Sequence, residues 1–251
     1  MLTLSGVFAV NRHLQPARPL NVLLLEQARD VARDFRLSRR RSRVVEVNGL
    51  EMTTAERTDL ADFLADLEPE QWQVNSLCEG WRVRDVVAHI MSFDDLNLLD
   101  MLRRAVEARF TDINQVGVDE LASLDTGQLL DRLRAHLRPT GLATTFGGRL
   151  ALLDVTIHHQ DIRRPLCKPR QIPAERLRCV LHDALLSPEL PGRRLARGVR
   201  LKPTDLDWSH GSGPEVAGPA EAVLMAITGR ASALQELHGA GVSVVARRLG
   251  R

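Results

Sequence analysis

Asp154 and His158 stand four residues apart. On a helix that spacing puts both side chains on one face, with Cβ atoms roughly 5–6 Å apart. A carboxylate oxygen and an imidazole nitrogen so placed can hold one divalent ion, the first as an anionic ligand and the second as a neutral one. The pair shares its side of the helix with Leu150 and Ile157. An aspartate on an apolar face must be paired or bind a cation, and an Asp–His hydrogen bond would account for the same two residues. His89 poses the same choice. It lies inside Val86-Val87-Ala88-His89-Ile90, where a histidine is either a hydrogen-bonded core residue or a ligand. Helical bundles build metal sites from inward residues on facing helices. His89, Asp154 and His158 together would make a set of two imidazoles and one carboxylate. Three protein ligands leave a coordination position open, as catalytic metals require. The ligand types favour zinc, and nickel, iron or manganese are compatible with them.

Neighbouring residues compete with these or support them. His159 projects about 100° away from His158, so the two cannot both join Asp154 on one ion. Asp161, three residues past His158, can orient the His158 imidazole from behind. Asp85, one turn before His89, can do the same there, or it can serve the first turn of its helix, where an acid suits the dipole. Cys78 sits in a loop just before a helix, a position that favours a thiolate; with no base in the surrounding pattern it reads as a structural cysteine. Cys78, Cys167 and Cys179 form no C-x-x-C pair and are odd in number. A disulfide framework or a zinc ribbon is therefore not expected, and a reducing cytoplasm fits best. Gly147-Gly148 and Gly211 to Gly213 lack the spacing of phosphate-binding loops.

The elements that must position these residues are mostly helical. Thr53 and Glu56 carry a capping-box signature, and Leu60, Phe63, Leu64 and Leu67 form the stripe of a helix starting near Met52. A second helix is expected from Val83 to about Phe110, apolar on more than one side. A third, capped by Asp125 or Thr126, carries Leu129, Leu130, Leu133 and Leu137 and stops at Pro139 and Gly141. A fourth runs from Arg149 to Arg163, with Leu150, Leu153, Ile157 and Ile162 inward and Pro165 at its close. A fifth follows Pro173. Beyond Pro188 and Pro191 the pattern alternates around Val199, Leu201, Leu206 and Trp208, as in a hairpin or a pair of short strands. Helices are then expected from Pro219 to Thr228 and from Ala231 to Leu237, before an apolar piece, Val242 to Val245. The plan is a helical bundle over 52–187 and a small α/β domain over 192–251.

Composition narrows the classes. The 251 residues are 44% hydrophobic and 26% charged, which suits a folded globular protein and not a disordered one. The longest apolar run, Leu20 to Leu25, is far shorter than the ~20 residues of a membrane helix. The net charge of +2 gives no global reason to expect nucleic acid or an anionic membrane as partner. The cations cluster in the first 50 residues, at Arg33, Arg36, Arg39, Arg40, Arg41 and Arg43. Residues 1–51 are read as a basic, disordered extension or an upstream start-site artefact. A nucleic-acid-binding arm is the alternative. Only Lys168 and Lys202 are lysines among 34 basic residues, the bias that GC-rich codon usage produces.

Longer stretches resemble a known family. Glu70-Gln71-Trp72, followed by the run Ser76 to Ile90 (SLCEGWRVRDVVAHI), resembles the metal-binding domain of the mycothiol-dependent maleylpyruvate isomerase family, a branch of the DinB-like superfamily. Asp154 to Leu166 (DVTIHHQDIRRPL) is similar to that family's second metal motif, and TDLDW and GPEVAGPAEAVLMAITGR between Val199 and Gly229 or just beyond are similar to the C-terminal part of many members. The resemblance implies a mainly α protein, a DinB-like four-helix bundle followed by a small α/β C-terminal domain. It implies a divalent metal on His89, Asp154 and His158, although the best-known members carry Glu at the position of Asp154. It also implies mycothiol, an actinobacterial thiol, as cosubstrate. A metal at an open position lowers the pKa of a bound thiol. The resulting thiolate would add to a small electrophile, giving an S-transferase or a cis–trans isomerase. A non-catalytic metal- or ligand-binding protein of the same fold is the alternative. Arg82, Arg84, Arg149, Arg163 and Arg164 lie beside the motifs as possible anchors for an anionic substrate.

Overall fold

The computed structural model describes residues 49–107 and 112–250. The basic segment of residues 1–48 lies outside the described residues, so the expectation of a disordered extension or nucleic-acid arm is not addressed there. The described residues form one compact unit, mostly helical with a small sheet. Among the described residues no helix is long and apolar enough to cross a membrane.

Helix α1 spans Gly49–Ala65, α2 Val83–Met91, α3 Leu98–Glu107, α4 Ile113–Glu120, α5 Thr126–Ala135, α6 Arg149–Arg163 and α7 Ala174–Leu186. α1 packs along α6, α5 lies against both α1 and α2, and α2 closes on α6. These four helices form the bundle. Its core gathers Leu60, Phe63, Leu64, Val83, Val86, Ile90, Leu129, Leu133, Val155 and Ile162.

Three expectations need correction. α1 is already helical at Gly49, before Met52, and Thr53 is not its cap. The Thr53 hydroxyl lies inside the helix and donates to the carbonyls of Gly49 (2.7 Å) and Gly148 (3.0 Å), which ties α1 to the start of α6. The helix expected to run from Val83 to Phe110 is broken. Asp95 has φ of 63° between α2 and α3, and a separate helix, α4, follows under an Asp112 cap that accepts from Asn114 N at 2.8 Å. Leu150 is 43% exposed rather than inward.

The α5 start is as expected: Asp125 accepts from Gln128 N at 2.8 Å, and Gln128 returns a contact to Asp125 N at 2.9 Å. α6 starts where Gly148, at φ of 81°, turns the chain. A Cβ there would come within 2.8 Å of the Leu50 side chain and also crowd its backbone, so only glycine allows both the turn and the close approach.

After a short helix α8 (Gly192–Leu195), the chain forms strands β1 (Arg200–Pro203), β2 (His210–Gly211) and β3 (Glu215–Gly218), then α9 (Ala220–Ile227), a 3-10 turn over Ala231–Glu236, and α10 (Val242–Leu249). β1 pairs antiparallel with β2, with Leu201 opposite His210, and parallel with β3, with Leu201 opposite Val216. The apolar piece expected after Gly241 is thus the start of a helix. A second core joins Leu152, Leu153 and Ile157 of α6 to α7, the sheet and α9, whose residues other than Glu221 are all apolar. α6 therefore serves two cores at once: Val155 and Ile162 face the bundle, and Leu152 and Ile157 face the C-terminal part. That two-sided burial explains why its polar residues are so tightly constrained.

Candidate metal centre

α2 and α6 bring His89, Asp154 and His158 together. Asp154 Oδ1 lies 3.4 Å from His89 Nε2 and 3.4 Å from His158 Nε2. One donor atom from each of the three side chains falls within 4.8 Å of the others. The two imidazoles meet edge to face, with ring centroids 4.7 Å apart. Ligand atoms on a tetrahedral ion with bonds of about 2.0–2.1 Å stand about 3.3 Å from one another. The observed 3.4 Å separations therefore suit a small divalent cation with little rearrangement. The Asp154 side chain is 38% exposed and the His89 side chain 4%, so the carboxylate side of the site is the side open to solvent.

His89 owes its place to α2's apolar side. Its ring sits between Trp81 (centroids 5.0 Å) and Phe93 (5.5 Å, edge-on). Its Nδ1 is buried with no hydrogen-bond partner among the described residues. Asp85 does not supply one, so its expected role behind His89 needs correction. Its carboxylate accepts from Arg82 N and Nε, each at 2.9 Å, and from Nη2 at 3.2 Å. It closes the first turn of α2, where an acid is favoured.

Asp161 stands where the i+3 spacing puts it. His158 Nδ1 lies 2.9 Å from Asp161 Oδ2. Asp161 is fully buried and its pKa is about 2: burial acts to raise it, but His158 and Arg230 outweigh that. The ionised carboxylate can only accept, so Nδ1 carries a proton, and Nε2, facing Asp154, is the nitrogen that takes a second proton or a metal ion. Cys78 Sγ donates to the same Asp161 oxygen at 3.2 Å and lies 3.5 Å from His158 Nδ1. Its thiol is engaged within the cluster rather than isolated.

The electrostatics of the triad favour a positive charge beside Asp154. Burial works to raise the Asp154 pKa, but His158 and His89 overcome this and hold it well below the usual carboxylate range. Burial likewise works against a charged His158, yet Asp154, Asp161 and Cys78 push its pKa well above the ordinary value. A carboxylate between two imidazoles is satisfied by a proton or by a metal ion, and the two compete.

His159 is directed elsewhere, as its 100° offset requires. It is fully buried against Glu56, with Nδ1 2.9 Å from Oε1. Arg163 Nε donates to its Nε2 at 2.8 Å. Glu56 also pairs with Arg170 and Arg176. Cys167 is exposed and free, and Cys179 is free beside Asp183.

The C-terminal part contributes Arg230, a residue with no signal of its own in the sequence pattern. Its Nε donates to Asp161 Oδ1 at 2.9 Å and its Nη2 to Oδ2 at 2.5 Å. A surface pocket of about 310 Å³ is lined by Leu77, Cys78 and residues 228–232. It meets the site through Cys78 and Arg230 and not through the triad itself. An arginine straight after the Thr228-Gly229 helix stop gives a position along the chain but no partner. Of the other arginines near the motifs, Arg82 is held by Asp85, Arg149 by Asp183 at 2.5 Å and Arg164 by Glu221 and Glu236. Arg84 donates to the carbonyls of Ala122 and Leu124.

Residues 53–141 match the family model of the mycothiol maleylpyruvate isomerase N-terminal domain. The matched segment contains His89 and ends before Asp154 and His158. The crystal structure of the mycothiol-dependent maleylpyruvate isomerase is similar in fold, with a TM-score of 0.51 at 14% identity over 76% of this chain and 91% of that one. A mutant of that isomerase with one histidine replaced by alanine gives a TM-score of 0.50 at the same identity and coverage. No curated protein matches.

Proposed function

Residues 53–141 match the family model of the mycothiol maleylpyruvate isomerase N-terminal domain, and on that basis we propose that the protein is a metal-dependent thiol enzyme. In this reading it uses mycothiol as cosubstrate and acts on a small electrophile, as an S-transferase or a cis–trans isomerase. The observation that carries it is the convergence of His89 Nε2, Asp154 Oδ1 and His158 Nε2 at one half-open point between α2 and α6. His89, Asp154 and His158 are the ligands, and zinc is the ion their chemistry favours. When bound, such a metal supplies a positive centre that stabilises a thiolate at neutral pH.

The chain's own groups do the rest. Asp161 keeps the His158 proton on Nδ1, so that Nε2 is free to bind. Trp81 and Phe93 fix the plane of His89. The exposed edge of Asp154 marks the side from which a thiol and an electrophile reach the site. The protein need not supply a nucleophile of its own, since Cys78 already donates to Asp161. A cytoplasmic, actinobacterial setting, where mycothiol is present, belongs to the same reading, as does a folded unit over 52–187 followed by 192–251.

The test is metal analysis of the purified protein, followed by mass spectrometry of reactions with mycothiol and candidate electrophiles. About one divalent metal per chain and electrophile turnover that needs both metal and mycothiol are expected. Metal binding without thiol consumption would favour a non-catalytic binding protein, and an adduct on Cys78 would overturn the mechanism.

A further inference from the structure

We propose that Arg230 is a positioning residue for the metal centre, acting on His158 through Asp161; this rests on the metal reading above. All three ligands come from the bundle, whereas Arg230 comes from the end of α9, in the C-terminal part.

Its placement is set locally. α9 is followed by Thr228-Gly229-Arg230, with Gly229 at φ of 106°. Arg230 N donates to Met225 O at 2.9 Å, and Arg230 Nη1 donates to Thr228 O at 2.8 Å. The chain turn thus aims the guanidinium before it meets Asp161. Two parallel N–H contacts then grip both carboxylate oxygens, a geometry that fixes the carboxylate plane as a single point charge would not. The Asp161 backbone is held as well, because its carbonyl accepts from Leu77 N at 3.0 Å.

With its plane fixed, Oδ2 stays at the His158 Nδ1–H, and the imidazole cannot turn Nε2 away from Asp154. The positive guanidinium also offsets the Asp161 charge. The metal ligands therefore sit beside a neutral Arg–Asp pair rather than beside a second bare anion. Loss of Arg230 would leave a fully buried carboxylate with only His158 and Cys78 as donors, free to change its orientation. Partners of this kind behind a metal-bound histidine typically change metal affinity by about 10–100-fold.

The experiment is zinc affinity, measured by competition with a chromophoric chelator, on the full-length protein and on Arg230→Met, Arg230→Lys, Asp161→Asn and the double variant Arg230→Met/Asp161→Asn. Melting temperatures in excess chelator report folding separately. Arg230→Met is expected to weaken zinc binding about 10-fold or more, Arg230→Lys to recover part of that, and the double variant to be no weaker than Asp161→Asn alone. Such non-additivity is the signature of one residue acting through another. If Arg230→Met binds zinc as the natural protein does, or the two losses add, the relay is wrong. Should Arg230→Met not fold, Arg230→Lys decides, and unchanged affinity there overturns the proposal. The metal reading fails separately: a natural protein that binds no zinc, or a His158→Ala variant that binds it normally, removes the site itself.

Discussion

His158 and His159 are adjacent in the chain, on one helix, and they end in opposite chemical states. His158 faces a carboxylate at each ring nitrogen, Asp161 at Nδ1 and Asp154 at Nε2. His159 faces a carboxylate at Nδ1 but an arginine N–H at Nε2. A ring between two acceptors must take a second proton or a metal ion to satisfy both. A ring between an acceptor and a donor is satisfied as the neutral tautomer. The pKa shifts follow the same logic: His158 is pushed well above its ordinary value and His159 is lowered to about 4, the latter by burial first, with Arg170 and Arg163 adding to it. The difference lies at the second nitrogen, which in the proposed reading decides which of the two rings can take a metal. The cluster around His159 is satisfied within itself, and the ring of His158 is not.

The largest expected effect of breaking this contrast is on the His159 side. Glu56→Ala would leave Arg170, Arg176 and His159 without their shared buried anion. Removing one member of a buried ion cluster costs about 3–5 kcal/mol. A fall of that size in chemical-denaturation stability is expected, while the folded fraction still binds one metal. A Glu56→Ala protein that is as stable as the natural one but has lost its metal would reverse the two roles.

On the other side, His158→Ala should lose most of the metal, with affinity weakened about 100-fold or more, equivalent to about 2.7 kcal/mol. Stability in excess chelator should fall as well, because Asp161 loses a donor, so metal content is read per folded chain. Asp154→Asn should behave similarly, since it removes the one anionic ligand. Metal content per folded chain checks both variants, and full occupancy in either would sink the assignment.

A graded effect is expected from pH. The folded pKa of His159 lies near 4, below its usual 6.5. Its contribution to stability is thus complete above about pH 6.5 and is lost as pH falls toward 4. Glu56 is lowered from 4.5 to about 2: burial acts to raise it, but His159 and Arg170 outweigh that. Its contribution is lost between about pH 4.5 and 2. Melting temperature in chelator should therefore fall in two stages on acidification. In Glu56→Gln the lower stage should shrink, leaving the part that Asp161 and Asp154 contribute in the same window. A flat profile from pH 6.5 to 4 would contradict a neutral buried His159.

The smallest effect is expected for Cys78→Ser. A serine hydroxyl can donate to Asp161 as the thiol does, so metal content should be unchanged and activity should stay within a few-fold. A near-complete loss of activity, with metal retained, would show that the thiol does more than pack beside Asp161.

Much of the site is legible in the amino-acid sequence, and the legible part has a common cause. The pairs Asp154/His158 and His158/Asp161 are i,i+4 and i,i+3 relations, and the helix period places them on one face. The helix over Arg149–Arg163 is readable because glycines precede it and Pro165 follows. The break after Met91 is not readable, because Phe93, Leu96 and Leu99 continue a helical-looking stripe through it. Thr53 and Glu56 match a capping box yet lie inside a longer helix. Their side chains are used by α6 and by the arginines at positions 170 and 176, partners more than 90 residues away. Asp85 is within reach of His89 by spacing alone, but Arg82 satisfies it first.

What sequence alone determined about this protein is what local geometry determines: a bundle, a helix bearing two candidate ligands and the acid behind one of them, and a facing helix with a third candidate. Which of two adjacent histidines faces an acceptor at both ring nitrogens was decided by the fold. His159 lies between Glu56 and Arg163, and His158 between Asp161 and Asp154. Glu56 and Arg230 lie 103 and 69 residues from the groups they touch on α6. Contacts of that span follow no helical or strand period. They exist only because α6 is packed between two cores, one bringing α1 to its side and the other bringing the end of α9.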